Sequence, residues 1–390
     1  MKFDSKICAI AASIIAFIFW ILIDNTYDNG DSITHYAISR YSWQHMYLLF
    51  DNWGKPVFTI LSSPFSQFGW KGMTFFNSLT GVITTCLVAQ IIDKLKWNIS
   101  PYCALLLFFI PNFPLALNSG LTEPLYALVL TLTIYLIVIE RYAWAAIAIS
   151  FLPFVRSEGF ISIAVIAVFF IASHKWKEIV LLLTGLVCIS VLGFVFQHES
   201  VFWIFTTNPY TADAGFDNYG SGNWDDFFIK FYYMTGIPFT ILFWVATLLI
   251  IKILASRLLS NFTEIFKSIE FLLLGSFFSF FLAHVVFWKF GLFNSFGMSR
   301  VLISILPISL LIILYLLNQL IQQSYKGKIA VIVCIVCIII FPFTNNKSAW
   351  DFTKDFAEDS ETLAIKNISK DIKIDTLKKN ITYYSSIPLM

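Results

Sequence analysis

The chain has 390 residues, of which 58% are hydrophobic and only 13% charged. Soluble domains carry about a quarter of their residues as charges, so a wholly water-facing surface is excluded and a bilayer must solvate much of this molecule. The formal net charge of +2 gives no basis for a nucleic-acid partner. The cysteines Cys8, Cys86, Cys103, Cys188, Cys334 and Cys337 all lie in apolar stretches and read as packing thiols rather than a disulfide framework. That includes the mid-span CxxC of Cys334 and Cys337, which has no histidine or acidic neighbour.

The first apolar run, 7–23, follows Lys2 and Lys6, and no small-residue cleavage site comes after it, so it reads as a transmembrane helix rather than a signal peptide. Runs long enough, or nearly so, to cross ~30 Å of hydrocarbon recur from there to the C-terminal region. They predict an all-α, polytopic protein of about eleven transmembrane helices near 7–23, 73–92, 102–117, 121–139, 143–155, 159–173, 179–196, 235–251, 269–287, 301–320 and 329–343. The third to sixth are short or interrupted by Pro111, Pro114, Pro124 and Pro153, which predicts pairs of short helices joined by tight turns.

Positive charge favours cytoplasmic loops. With the N-terminus inside, the inner ends hold twelve bases against six acids and the outer loops seven against eleven, a bias in the expected direction. The transmembrane domain is then 1–343, in a plasma (inner) membrane, with exterior loops over 24–72 and 197–233. A polar tail or partial small domain follows at 344–390, also exterior, with seven bases, seven acids and a strand-like stretch at 381–385.

The first exterior loop opens with Tyr27-Asp28-Asn29-Gly30-Asp31, after which 32–50 carries apolar residues at helical spacing. This predicts an amphipathic helix on the membrane surface with Asp31 as its N-cap. Asp31 as a cap and Asp31 as a base remain alternatives, and Asp28 sits in an ordinary DNG turn. Lys55 follows Trp53 in a second cluster, placed either to snorkel or to meet a lipid phosphate. Glu123 opens a helix where the helix dipole favours a carboxylate. Arg156 and Glu158 share a short turn between two apolar spans, where ionisable groups are costly and turn towards a cavity or partner. Arg300 stands at the mouth of a late helix. Lys55, Arg156 and Arg300 thus form a cationic set on the same side as Asp28, Asp31, Glu123 and Glu158. Sugar transfer from a polyprenyl phosphate needs this pairing, a base for the acceptor's proton and cations for the leaving phosphate.

Acidic residues early in the first exterior loop, the Thr122-Glu123 pair at a helix start, the Arg156-Ser157-Glu158-Gly159 turn and the late Gly297-Met298-Ser299-Arg300 resemble the GT-C superfamily of polytopic membrane glycosyltransferases, mannosyltransferase-like members included. The resemblance covers roughly 1–343. It implies an inverting glycosyltransferase of cell-envelope glycans, using a polyprenyl-phosphate sugar donor and a glycan, lipid or protein acceptor. An acidic residue of the first loop would be the base, Asp31 first and Asp28 second, while Lys55, Arg156 and Arg300 hold phosphate. Glu123, Glu158, His35 and Trp53 support them, and Tyr36, Trp53 and the aromatics of 208–233 stack on sugar or lipid. The family's frequent DE or DxD pair is here split by Asn29 and Gly30. No cofactor is firmly implied, and a divalent metal has nothing in the sequence to support it. The rivals are a polymerase or ligase of lipid-linked glycans and a transporter or flippase. The last should carry charge at mid-span, where this chain has His284 as its main polar exception, read as a packed histidine.

Overall fold

The computed structural model describes residues 3–196, 200–207, 220–258 and 262–358. Every element among them is helical: α1 (Phe3–Leu22), α2 (Asp31–Tyr41), α3 (Pro56–Ser66), α4 (Trp70–Lys94), α5 (Asn112–Leu117), α6 (Glu123–Val138), α7 (Tyr142–Ser150), α8 (Gly159–Ala172), α9 (Trp176–Leu181), α10 (Thr184–Phe196), α11 (Trp203–Thr206), α12 (Asp226–Thr235), α13 (Ile237–Leu258), α14 (Phe262–Phe266), α15 (Ile269–Phe290), α16 (Leu306–Gln323) and α17 (Tyr325–Ile340), with short 3-10 segments between. Hydrocarbon imposes this, because a helix closes its own backbone hydrogen bonds where no water can. Six stretches have the length and composition to cross a bilayer: Trp70–Lys94, Trp176–Phe196, Ile237–Arg257, Ile269–Phe290, Ser299–Gln323 and Tyr325–Phe343. Four shorter apolar helices accompany them, Lys6–Leu22, Glu123–Val138, Tyr142–Phe154 and Gly159–Ala172. The chain is a multi-pass membrane protein in contact with lipid.

α16 is the central helix. Each residue from Leu306 to Asn318 is buried, among α4, α6, α13, α15 and α17. α10 and α17 instead turn Val187, Val191 and Phe194, and Ile332, Val333 and Val336, outward as an apolar rim. Helices in lipid gain little from hydrophobic burial against each other, so close packing and polar contacts hold them. On α4, Thr84 and Thr85 return their hydroxyls to carbonyls four residues back, at 2.7 and 2.9 Å. Asn77 crosses to the Ser119 and Leu121 carbonyls at 2.8 and 2.9 Å, pinning the loop that leads into α6.

The segment expected as the third span is not one helix. It is a 3-10 helix, Pro101–Phe109, followed by α5. Pro101, Pro111 and Pro114 each lack the N–H that a continuous α-helix would use. At one end Asn98 donates its backbone N–H to Asn318 at 2.6 Å; at the other, the 118–121 loop packs on the start of α2. A 3-10 helix rises ~2.0 Å per residue against ~1.5 Å, so its nine residues and the six of α5 reach about 27 Å.

The helix expected over 32–50 is shorter. α2 ends at Tyr41, where Ser42 turns its hydroxyl back to the Ser39 carbonyl at 2.9 Å, and a 3-10 turn, Met46–Phe50, follows. Asp31 is the first residue of α2, and Gly30 is its N-cap. The Asp31 N–H is instead satisfied by the Asp28 carboxylate at 2.8 Å. The start of the polar tail folds back over the end of α1. The Trp350 indole donates to the Pro111 carbonyl at 2.8 Å, Asp24 donates its N–H to the Phe356 carbonyl at 2.9 Å, and Ile23, Leu115, Trp350 and Phe356 form a small apolar cluster. The strand-like 381–385 stretch and the aromatics of 208–219 lie outside the described residues.

Candidate functional site

Charged residues from five separate segments meet at one end of the bundle. The link is Arg300, at the start of the 3-10 turn leading into α16. Its two terminal amines donate to different carboxylates, one to Asp28 Oδ2 and the other to Asp31 Oδ2. Its Nε lies 3.7 Å from Glu123 Oε1. The same glutamate oxygen is 2.7 Å from Arg156 Nη1, and the other Arg156 amine donates to Glu158 Oε1 at 2.9 Å. The alternating chain Asp28/Asp31, Arg300, Glu123, Arg156, Glu158 then reaches His284 of α15, whose Nε2 is 3.5 Å from Glu158. Lys55 enters from the side, donating to Ser157 Oγ at 2.9 Å.

Local sequence explains how these side chains arrive together. Gly120 lets its loop lie directly on the Ser32 carbonyl, since a Cβ there would collide with that oxygen. The turn carrying Arg156 and Glu158 is closed by Gly159 against the backbone of Leu152 and Pro153. Tyr27 and Lys55 adopt positive φ, 63° and 65°, a region side-chain-bearing residues occupy at a cost and which clusters at functional sites. The first bends the chain into the Asp28 turn; the second caps α3 and turns the ammonium inward.

Asp28 and Asp31 are not equivalent. Asp28 uses one oxygen for the Asp31 N–H and the other for Arg300. Asp31 gives one oxygen to Arg300, its other has no partner among the described residues, and its side chain is 41% exposed, against 1% for Glu123. No protein-family model, curated protein or solved structure matches this chain. Its chemistry therefore has to be read from this arrangement.

Burial sets the protonation of several members. Burial, the largest single influence, raises the Glu158 carboxyl, but the Arg156 guanidinium, His284 and the hydrogen bonds it accepts together outweigh it and hold the group down at about 2. Burial pushes the Lys55 ammonium down to about 8, Glu158 opposing the shift. Burial, joined by the Arg300, Arg156 and Lys55 cations, pushes the His35 imidazole down to about 3, so it is neutral. His35 stacks on Trp53 with ring centres 4.6 Å apart.

The nine residues that the sequence analysis gives a base, phosphate-holding or supporting role stand at this end of the bundle. Tyr36 does not join them: it is buried edge-on against Trp70. The sequence reading passed over three partners. His284 read as a packed histidine, although a lone imidazole among aromatics is also the one mid-span group able to meet a buried carboxylate. Thr122, 3.2 Å from Arg156, and Ser157 are hydroxyls with no signal of their own. Among the described residues, no group of three His, Cys, Asp or Glu side chains is arranged to hold a metal ion.

Proposed function

We propose that this chain is an inverting membrane glycosyltransferase that transfers a sugar from a polyprenyl-phosphate donor to an acceptor hydroxyl on the outer face. The observation that carries this reading is the convergence of Asp28, Asp31, Lys55, Glu123, Arg156, Glu158 and Arg300 at one end of a membrane bundle. That end is the exterior by the charge bias of the loops. The 101–117 segment supports an eleventh crossing, and α2 with the turn after it is the interfacial element of the first loop.

In this mechanism Asp31 takes the proton of the acceptor hydroxyl. The hydroxyl oxygen attacks the anomeric carbon from the face opposite the phosphate, the carbon–oxygen bond to phosphate breaks, and the lipid phosphate leaves with the electron pair. Lys55, Arg156 and Arg300 stabilise that charge, and a phosphate leaving group needs no general acid. The two halves are coupled through Arg300. A donor phosphate that draws one Arg300 amine away from Asp31 frees the carboxylate oxygen that this amine holds. Asp28, with both oxygens engaged, orients the turn. Trp53 and the aromatics around α12 flank the sugar and prenyl chain.

The test is transfer of labelled sugar by purified protein from a panel of polyprenyl-phosphate sugars. Transfer by the parent, with loss of donor binding in Arg300→Lys and Arg156→Lys, supports the reading, because lysine keeps the charge but not the bidentate fork. No transfer from any donor, or parental binding and turnover in both variants, overturns it. A lipid-linked glycan ligase would use the same cations without depending on Asp31.

A further inference from the structure

Two buried polar atoms beside the charge chain have no use in that mechanism. Ser32 is fully buried and its Oγ has no hydrogen-bond partner among the described residues. Most buried hydroxyls in this bundle bond to a carbonyl three or four residues back, as Thr131 does to Ala127 at 2.7 Å. Ser32 sits in the first turn of α2, where the residue four back is Asp28, outside the helix. His35, one turn later on the same face, is 7% exposed, and its Nδ1 also has no partner. The Gly54 backbone lies close enough to the ring to favour an N–H on the side that faces it. With Nδ1 unpartnered among the described residues, placing the ring N–H on Nε2, towards Gly54, leaves Nδ1 a lone pair. Trp53 on one side and Phe58 edge-on at 5.4 Å hold the ring in place. The ring lies within electrostatic reach of Arg300, Arg156 and Lys55.

We infer that His35 Nδ1 and Ser32 Oγ form a neutral notch that receives a ligand hydroxyl next to the phosphate-holding cations, which makes His35 a specificity-determining residue. A lone pair on Nδ1 takes a donor and repels a phosphate oxygen. The neighbouring cations disfavour an ammonium, and a hydroxyl satisfies both atoms, donating to Nδ1 and accepting from Ser32. The inference rests on the glycosyltransferase reading for the identity of that hydroxyl, on the donor sugar or on the acceptor, but not for the notch itself.

Two measurements test it. The first is nitrogen NMR of histidine-labelled protein in nanodiscs, with undecaprenyl-phosphate mannose and with bare undecaprenyl phosphate. The expected result is an unprotonated His35 Nδ1 whose resonance moves on adding the sugar lipid but not the bare phosphate. A shift that needs added acceptor as well assigns the hydroxyl to the acceptor. A protonated Nδ1, or a resonance that no ligand moves because water already fills the notch, overturns the inference. The second measurement compares transfer from undecaprenyl-phosphate mannose and its monodeoxy analogues. In the parent, one analogue should lose about ten- to a hundredfold in kcat/KM, the size expected when a buried group is left unsatisfied. His35→Gln, which keeps a donor for Gly54 but no acceptor at Nδ1, and Ser32→Ala should lose that discrimination while retaining the fold. If both variants discriminate as the parent does, the notch is wrong and the glycosyltransferase reading stands. If the parent transfers from no donor of the polyprenyl-phosphate panel, that reading fails, and the NMR result still decides the notch.

Discussion

Asp28 and Asp31 share one arginine, but of the two only Asp31 keeps an oxygen with no partner among the described residues, on a side chain 41% exposed. Asp31→Asn should therefore fold, since Asp28 still caps the Asp31 N–H, yet lose ~10²–10⁴ in turnover with donor saturating, the usual cost of a positioned base. Asp28→Asn removes a charge that holds Arg300 and turns an amide N–H₂ towards its guanidinium or leaves the cap, so it should lower thermal stability more than Asp31→Asn does. Parental turnover in Asp31→Asn would remove Asp31 from the chemistry. Lys55 gives a prediction in pH. Its folded value of about 8 lies below the ordinary 10.5, so between the two the unfolded chain binds the proton the folded chain has lost, and stability rises with pH across that window. Donor binding runs the opposite way, because phosphate needs the ammonium: KM for donor should climb as pH rises through about 8. Lys55→Arg stays charged and should flatten that profile, which a pH series of initial rates will show.

Two elements set the geometry without touching substrate. The 118–121 loop reaches Ser32 because Gly120 has no side chain, and Asn77 supplies donors to its carbonyls. Gly120→Val should push Glu123 away from Arg300 and Arg156 and reduce both stability and transfer. The fold-back over α1 is anchored by Trp350, 6% exposed and bonded to Pro111. Trp350→Ala should cost about 3–5 kcal/mol if the site does not collapse, read as a lower midpoint of unfolding in detergent. These elements also mark what the sequence could and could not convey. The ends of several apolar runs were legible, since ionisable residues are expelled from hydrocarbon and collect at span boundaries, which is where Arg156 and Arg300 stand. The 3-10 course of 101–109 was not, because an apolar run has the same composition whichever helix it forms. Asp31 as N-cap was a reasonable reading of an Asp before a helical pattern. The helix starts one residue earlier than that pattern implies: Gly30 holds the N-cap position and the Asp28 carboxylate accepts the Asp31 N–H.

At the scale of the molecule, the acid–base chain lies at one end of the bundle and Arg257, paired with Glu270 at 3.0 Å, belongs to a second polar cluster with Tyr315, whose hydroxyl is 2.9 Å from Glu270. Loop charge counts assign these two sets to opposite sides as an expectation, whereas their pairing leaves no trace in the sequence. No local pattern says that Arg300 meets Asp28 rather than any other exterior acid. Sidedness itself is open to test. Single cysteines at Asn223 and Thr353, both exposed, should react with an impermeant thiol reagent added outside intact cells, and one at His174 should not. The reverse pattern would invert the topology and place the site in the cytoplasm.

The Arg300–Asp28 pair joins residues 272 apart in sequence. During synthesis the two aspartates emerge with the first membrane helix, while their counter-ion is not made until three quarters of the chain has been inserted. Until then the two acids lack their counter-ion, and of the three cations assigned to phosphate only Lys55 and Arg156 are in place. Arg300 is therefore a late latch: a chain stalled or truncated before it is made can occupy the membrane with most of its helices formed and still lack the link that joins Asp28 and Asp31 to Glu123.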